Sequence, residues 1–470
     1  MEVSHGLKVF SLSLFLLLCI IYFFSSNKLN HQYTKFDDQL QQTQFVRSSV
    51  ANHISSALYG SLTTNGSIEN RYRNPTFIRK VGKLSDSEKL ELGLAKARVA
   101  IRSAIKLNIS ASDDDEDAPR GVVYRNPSAF YQSYLEMEKR FKVYVYEEGD
   151  RPIVHGGPCK DIYTSEGRFI HEMELENTKF KTRDARYAHV YFMPFSVSMM
   201  VKYLYKPNSF DKSPLLRFVS DYIRVISTKY PFWNKTQGAN HFMLSCHDWG
   251  PDSSRGNPLL YNNSIRVLCN ANTSEGFDPR KDATLPEIDL YDGNMSPDLI
   301  SIPPDNAPRP HLAFFAGGLH GPIRPILFRH WKAKDPDIIV YEYLPKNLKY
   351  YSFMLQSKFC LCPSGYEVAS PRIVEAIYAQ CVPVLLSEHY VPPFSDVLRW
   401  EAFSVQVKVS DIPNLKEILN AIPEEQYKKL KEGVKAVRKH FVLNQPPKRF
   451  DVFHMILHSI WIRRLNVQLS

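Results

Sequence analysis

From residue 134 onward, short apolar runs alternate with longer stretches of helical periodicity, and this alternation constrains the fold more than any other feature. FKVYVYEE (141–148), AHVYFMPF (188–195) and HFMLSCHDWG (241–250) predict strands that run into loops. EGRFIHEMELEN and residues 213–229 predict helices between them. After a Pro/Asn-rich connector near 293–310 the pattern restarts. RPHLAFFAGG, DIIVYEYL, KFCLC and CVPVLL read as strands, and PIRPILFRHWK, YYSFMLQS and SPRIVEAIYAQ as helices. Such a βαβα succession builds parallel sheets covered by helices. The break near 300 divides it into two α/β lobes, expected at 120–300 and 301–445. RFDVFHMILHSIWIRRL then predicts an amphipathic C-terminal helix within 446–470, with Val452, Ile456, Leu457 and Ile460 near one stripe.

The segment ahead of the lobes has a different composition. Residues 9–24 form an uncharged apolar run after a short tail (1–8), and Ser25 and Ser26 can extend it to a transmembrane anchor over 9–26. A cleaved signal peptide is the alternative, but Tyr22, Phe23 and Phe24 crowd the exit and no small-residue cleavage pattern follows. Residues 27–119 are expected to be a stem carrying one helix, which Ser85 and Glu88 open as a capping box. Six N-x-S/T triplets, at Asn65, Asn108, Asn234, Asn262, Asn272 and Asn294, favour a lumenal body. Six cysteines beyond the span permit three disulfides, with Cys246–Cys269 the first expectation on proximity. The net charge of +10 comes without a Lys/Arg block or aromatic-basic repeat, which argues against nucleic acid. Asp113-Asp114-Asp115 resembles a metal-binding DxD pair but lies in a linker with no strand before it, and reads as solvated.

The chemistry concentrates in CLCPSGYEVASPRIVEAIYAQCVPVLL, residues 360–386. Ser370-Pro371 reads as a cap and first helical residue, and it puts Arg372 at the positive end of a helix dipole. That placement makes sense if a negative ligand shares the site. Ser364 and Gly365 allow close backbone approach, a helix N-terminus suits phosphate, and the guanidinium suits a diphosphate. Glu375, one turn on, can accept hydrogen bonds from ribose hydroxyls. The same spacing also fits a solvated Arg–Glu pair, although the apolar neighbours Ile373, Val374, Ala376 and Ile377 favour an enclosed setting.

FKVYVYEEG, HGGPC, YTSEGRFI, AHVYFMPF, HFMLSCHDWGP, LAFFAGGLHGPIR, YYSFMLQSKFC and the 360–386 stretch together resemble, in order, plant exostosin-like glycosyltransferases over roughly residues 120–465. The resemblance implies two Rossmann-like lobes of GT-B type behind an N-terminal anchor and stem. It further implies a nucleotide-sugar donor held mainly by the second lobe, inversion at the anomeric carbon and no metal. The implied setting is a type II Golgi membrane protein acting on a cell-wall or matrix polysaccharide acceptor, with a Golgi glycosyltransferase complex as a further partner. Arg372 and Glu375 become donor-site residues, for diphosphate and ribose. Two positions depart from the family: Asn240 where an acidic residue is usual, and Gln380 where glycine is common, the latter expected to affect packing alone. Asn240 keeps open a catalytically inactive, glycan-binding or scaffold subunit.

Inverting transfer needs a base and a stabiliser for the departing diphosphate. Without a metal, the second task falls on Arg372 and on Arg324, which starts another helix after a Gly-rich strand exit. His247 and Asp248, directly after a strand of the first lobe, are the candidates for the base. His155 and Glu172 are weaker alternatives, expected to be structural.

Overall fold

The computed structural model describes residues 84–107, 115, 117–176, 178–301 and 304–467. The apolar run at 9–26, Asn65, Asn108, Asp113 and Asp114 lie outside them. Among the described residues, no helix is long and apolar enough to cross a membrane.

Residues 83–470 form one compact unit built on two parallel sheets, an arrangement consistent with GT-B. The first contains β1 (Val143–Val145), β2 (Val190–Phe192), β3 (His241–Ser245), β4 (Ile265–Leu268) and β5 (Ala283–Thr284), paired in sequence order. Its strands are apolar on both faces because both are covered. Val145, Phe192 and Leu244 pack with Phe169 and Met173 of the Thr164–Glu174 helix, whereas Tyr144, Tyr191 and Met243 pack with Leu215, Val219 and Ile226 of the Ser213–Lys229 helix. The second sheet contains β6 (His311–Ala316), β7 (Ile338–Tyr341), β8 (Ser357–Pro363), β9 (Val382–Leu386) and β10 (Val405–Gln406), in the order β10-β9-β8-β6-β7. Its strand order reverses between β6 and β8, opening a crevice where their C-terminal ends diverge. The Rossmann-like expectation therefore describes the second lobe; the sequential first sheet has no such reversal.

Two disulfides form where three were permitted. Cys246–Cys269 ties the exit of β3 to that of β4, as expected, and Cys360–Cys381 ties β8 to the start of β9. Cys159 and Cys362 remain thiols.

Two helices depart from their expected settings. Val452–Asn466 is buried nearly all round, at 13 of its 15 residues, rather than amphipathic. It returns from the second lobe to pack on β4 and β5. Its polar residues face partners inside: Arg463 Nε donates to the Asp282 carbonyl at 2.8 Å and its Nη1 pairs with Asp396 at 2.7 Å. Asp86–Leu107 opens with the expected Ser85–Glu88 box but packs on the Pro127–Arg140 helix, with Arg98 Nε donating to the Leu465 carbonyl at 2.7 Å. This helix belongs to the folded body. Asp115 is likewise no solvated linker residue, since it accepts from Tyr131 Oη at 2.7 Å and Arg449 Nη1 at 3.3 Å.

Gln380 was expected to matter for packing alone, but its backbone has φ of 51°. That left-handed conformation, just past the Arg372–Tyr378 helix, suits glycine. Gln380→Gly is expected to stabilise the chain by about 1 kcal/mol, read as a higher denaturant midpoint at unchanged m-value.

Candidate functional site

The crevice between β6 and β8 opens toward the exit of β3, and together they bound a cleft of about 480 Å³. Asp248, Arg324, Gly365, Arg372 and Glu375 all line it, joined by Tyr163, Glu287, Asp289, Tyr350, Tyr351 and Glu367. Residues 287–290 form one wall by alternation. Glu287 and Asp289 face the cleft, while Ile288 and Leu290 face a separate cavity of about 410 Å³.

The second lobe supplies the cations. Arg372 donates from Nε (3.2 Å) and Nη2 (3.0 Å) to the carbonyl of Ala316, at the end of β6, and lies over the Phe315 ring. Gly317 makes room for this, because a Cβ there would sit 2.3 Å from Nη2. Arg324 donates from Nη1 to the Gly318 carbonyl at 3.0 Å, and its Nε is buried without a partner. Among the described residues, neither guanidinium meets a carboxylate within 4.0 Å. Burial, and then the charge of Arg372, push Arg324 down to about 10. Two cations held close in a partly desolvated pocket are stabilised by an anion between them.

The helix contributes less than expected. It runs from Arg372 to Tyr378, preceded by Pro371, and no side chain caps it. Ser370 Oγ instead meets Arg372 Nη1 at 3.5 Å. The arginines, not a seven-residue helix, carry the positive potential. Ser364 does not reach the cleft either: its hydroxyl bonds Ser387 Oγ at 2.7 Å and its N–H donates to the Leu386 carbonyl at 3.1 Å. Gly365 keeps its expected place, with room for Arg324 Nη2 3.1 Å from where a Cβ would lie.

Glu375 is buried and is not half of a solvated ion pair. It accepts from Tyr350 Oη at 3.1 Å and Tyr351 Oη at 3.3 Å. Burial raises its carboxyl, with the Arg372 charge opposing. Two hydroxyls aimed at one carboxylate fix its orientation in the cleft.

The first lobe supplies acids. Burial raises the Asp248 carboxyl, against the Tyr163 hydroxyl beside it. Glu287 is raised well above the usual carboxylate range by burial and then by Asp248. Burial raises both carboxyls, Glu287 further than Asp248, so Asp248 is the more readily ionised of the two. His247 is not at the cleft. Its Nδ1 accepts from Trp249 N at 3.0 Å, its ring packs on Tyr163, and burial lowers it to about 4, so it is neutral. His155 bonds Glu174 at 2.7 Å, and Glu172 lines the neighbouring cavity, so neither reaches the cleft.

Glu367 links the lobes by accepting from Asn270 Nδ2 at 2.6 Å, and burial pushes it up to about 7. Sequence reading missed Glu287 and Asp289, which sit in a segment of no motif, and left Glu367 unassigned within the 360–386 stretch. The tandem tyrosines of YYSFMLQS were visible but unassigned. Asn240 stands just before β3, at the opposite end of the strand from Asp248, and accepts from Thr236 Oγ1 at 2.7 Å. An acid lost there is not an acid lost from the cleft.

Comparison with known proteins agrees with this chemistry. The Exostosin GT47 domain matches residues 137–422. A "probable glycosyltransferase" of Arabidopsis thaliana is 60% identical over 401 residues, covering 85% of this chain and 83% of that protein. Another is 57% identical over 386 residues, covering 81% and 82%. A "probable beta-1,4-xylosyltransferase" of the same plant is 28% identical over 376 residues, covering 76% and 85%. Cleft and comparisons lead to one conclusion: the chain is a glycosyltransferase and belongs to the exostosin GT47 family.

Proposed function

We propose that the chain transfers a sugar, with inversion and without a metal, from a UDP-sugar to a hydroxyl of a cell-wall polysaccharide. The observation that carries this reading is the pair of guanidinium groups, Arg372 and Arg324, with no carboxylate partner among the described residues, opposite the acidic wall of the first lobe. The diphosphate occupies the space between the arginines, and Glu375 accepts from the ribose hydroxyls. The acceptor hydroxyl approaches from the Asp248 side. Its proton passes to the Asp248 carboxylate as its oxygen bonds the anomeric carbon. The bond from that carbon to the diphosphate oxygen breaks, and the electron pair leaves with the diphosphate, whose growing charge the two arginines stabilise. Relatives named as xylosyl- and glucuronosyltransferases support pentose and uronic acid donors as first choices.

The setting we propose is the Golgi lumen, behind an anchor at 9–26, with other Golgi glycosyltransferases as partners. Two disulfides support an oxidising compartment, as do exposed sequon asparagines at 234, 262 and 294. Asn272, buried at 8% exposure and capping a turn through Ser274, is not expected to carry a glycan. The inactive-subunit alternative rested on Asn240, and its position away from the cleft removes that support.

Incubating the full chain with UDP-xylose, UDP-arabinose, UDP-galactose and UDP-glucuronic acid and measuring released UDP tests this reading. Turnover of none of them, with no UDP binding, would overturn it. A pH profile adds a second check. The base must be ionised and burial raises its carboxyl, so kcat falls as pH drops through a midpoint above the ordinary aspartate value of about 3.9.

A further inference from the structure

Glu166 takes no part in the chemistry above, yet its fully buried carboxylate is the meeting point of three separate segments. Oε1 accepts from the Ser196 hydroxyl and from Ser198 N at 3.1 Å, at the cap and first turn of the Val197–Leu204 helix that follows β2. Oε2 accepts from Ser245 Oγ at 3.3 Å, Cys246 N at 2.8 Å and His247 N at 3.4 Å, at the exit of β3. Glu166 N itself donates to the Tyr163 carbonyl at 3.1 Å, in the turn that places Tyr163 beside Asp248.

Resting on the transferase reading, we propose that Glu166 is a positioning residue that aims Asp248 into the cleft. Packing alone does not call for a carboxylate here. Burying one is costly, and among the described residues no cation lies within 4.0 Å to offset it. Five neutral donors offset it instead, three of them backbone N–H groups. A carboxylate can accept on both oxygens at once; an amide can accept on one only.

The Cys246–Cys269 disulfide fixes where the loop is anchored but leaves its peptide planes free to rotate. The bonds from Cys246 N and His247 N remove that freedom, so the next residue, Asp248, leaves the loop in one direction. Asn270 Nδ2, donating to the Asp248 carbonyl at 3.2 Å, holds the far side. This gives a shared purpose to YTSEGRFI, the residues after MPF and SCHDWG, three stretches distant in sequence that meet at one side chain.

The test uses the full-length chain and whichever of the four UDP-sugars above the wild type turns over, with water standing in for the acceptor. Glu166→Gln keeps size and burial but turns an NH₂ toward backbone N–H groups. It is expected to lower kcat by about 10²-fold with donor KM within about twofold, the cost of a displaced reacting group. The decisive readout is the combination with Asp248→Asn. If Glu166 acts through Asp248, the double variant is no slower than Asp248→Asn alone. Multiplied losses, or a weakened donor KM, would show general structural damage and overturn the proposal. Unchanged kcat in Glu166→Gln beside an impaired Asp248→Asn overturns this inference and leaves the transferase reading intact. Full activity of Asp248→Asn overturns the inference together with the base assignment. Should Glu166→Gln not accumulate as folded protein, Ser196→Ala, which removes one of the five donors, is expected to give a several-fold loss of kcat with the same non-additivity.

Discussion

Arg372→Ala is expected to lower donor hydrolysis and transfer by about 10³-fold, the upper end of what one lost charge-stabilising donor costs. The size follows from its surroundings. The guanidinium lies half-buried over Phe315 and is anchored through Nε and Nη2 to a single carbonyl, that of Ala316. With its orientation set by the end of β6, it is ready for charge developing on the leaving diphosphate. Arg324 remains in the variant but is itself disfavoured by burial, and one cation does not replace a pair. Removing Arg372 also removes the charge that opposes burial at Glu375, whose carboxyl should rise further and accept less well from a ribose. The fold should survive, because Arg372 is only half-buried and, among the described residues, pairs with no carboxylate within 4.0 Å. Arg372→Lys keeps the charge and loses the planar fork, so its activity should fall between the two. Glu375→Ala, measured alongside, should weaken donor affinity and leave Tyr350 and Tyr351 without an acceptor. Wild-type kinetics in Arg372→Ala with an unchanged melting curve would sink the donor-site assignment.

How much of this was legible in the sequence depended on how local its cause was. The second lobe was readable strand by strand because β6, β8 and β9 are nearly continuous apolar runs with turn residues at their ends. β4 was harder. Arg266 interrupts its pattern, and only the fold reveals that this arginine is buried against Asp282, with Nε to Oδ1 at 3.1 Å. The C-terminal helix failed for the same reason. Its arginines and histidines look like a solvated face, yet Arg463 meets Asp396 and His458 Nε2 meets Ser133 Oγ at 2.9 Å inside the protein. In the loop after β8, residue type was informative and direction was not. Ser364 and Gly365 are adjacent, and the backbone turns one toward Ser387 and the other toward Arg324. Arg372, Glu375 and Arg324 could be placed at the cleft because crevices open where strand exits run into helices. Glu287 and Asp289 were not, because only tertiary assembly brings the 287–290 wall to face the second lobe.

That wall makes the identity of the base the sharpest remaining test. Asp248→Asn is expected to cut kcat by about 10²- to 10⁴-fold, the range for a lost general base. Donor KM should stay within about twofold, since in the proposed mechanism the phosphates lie against the other lobe and uniform binding is untouched. Asparagine keeps the size and the acceptor oxygen beside Tyr163 but cannot take a proton. The acid limb of the pH profile should therefore vanish from whatever activity remains. Glu287→Gln supplies the contrast. Its carboxyl is pushed well above the usual range, by burial and then by Asp248, which favours the protonated form. An amide mimics that neutral acid, and the loss should be small. If Glu287→Gln proves the slower enzyme and Asp248→Asn the nearly normal one, the proton moves to Glu287, and the roles of the two acids are reversed.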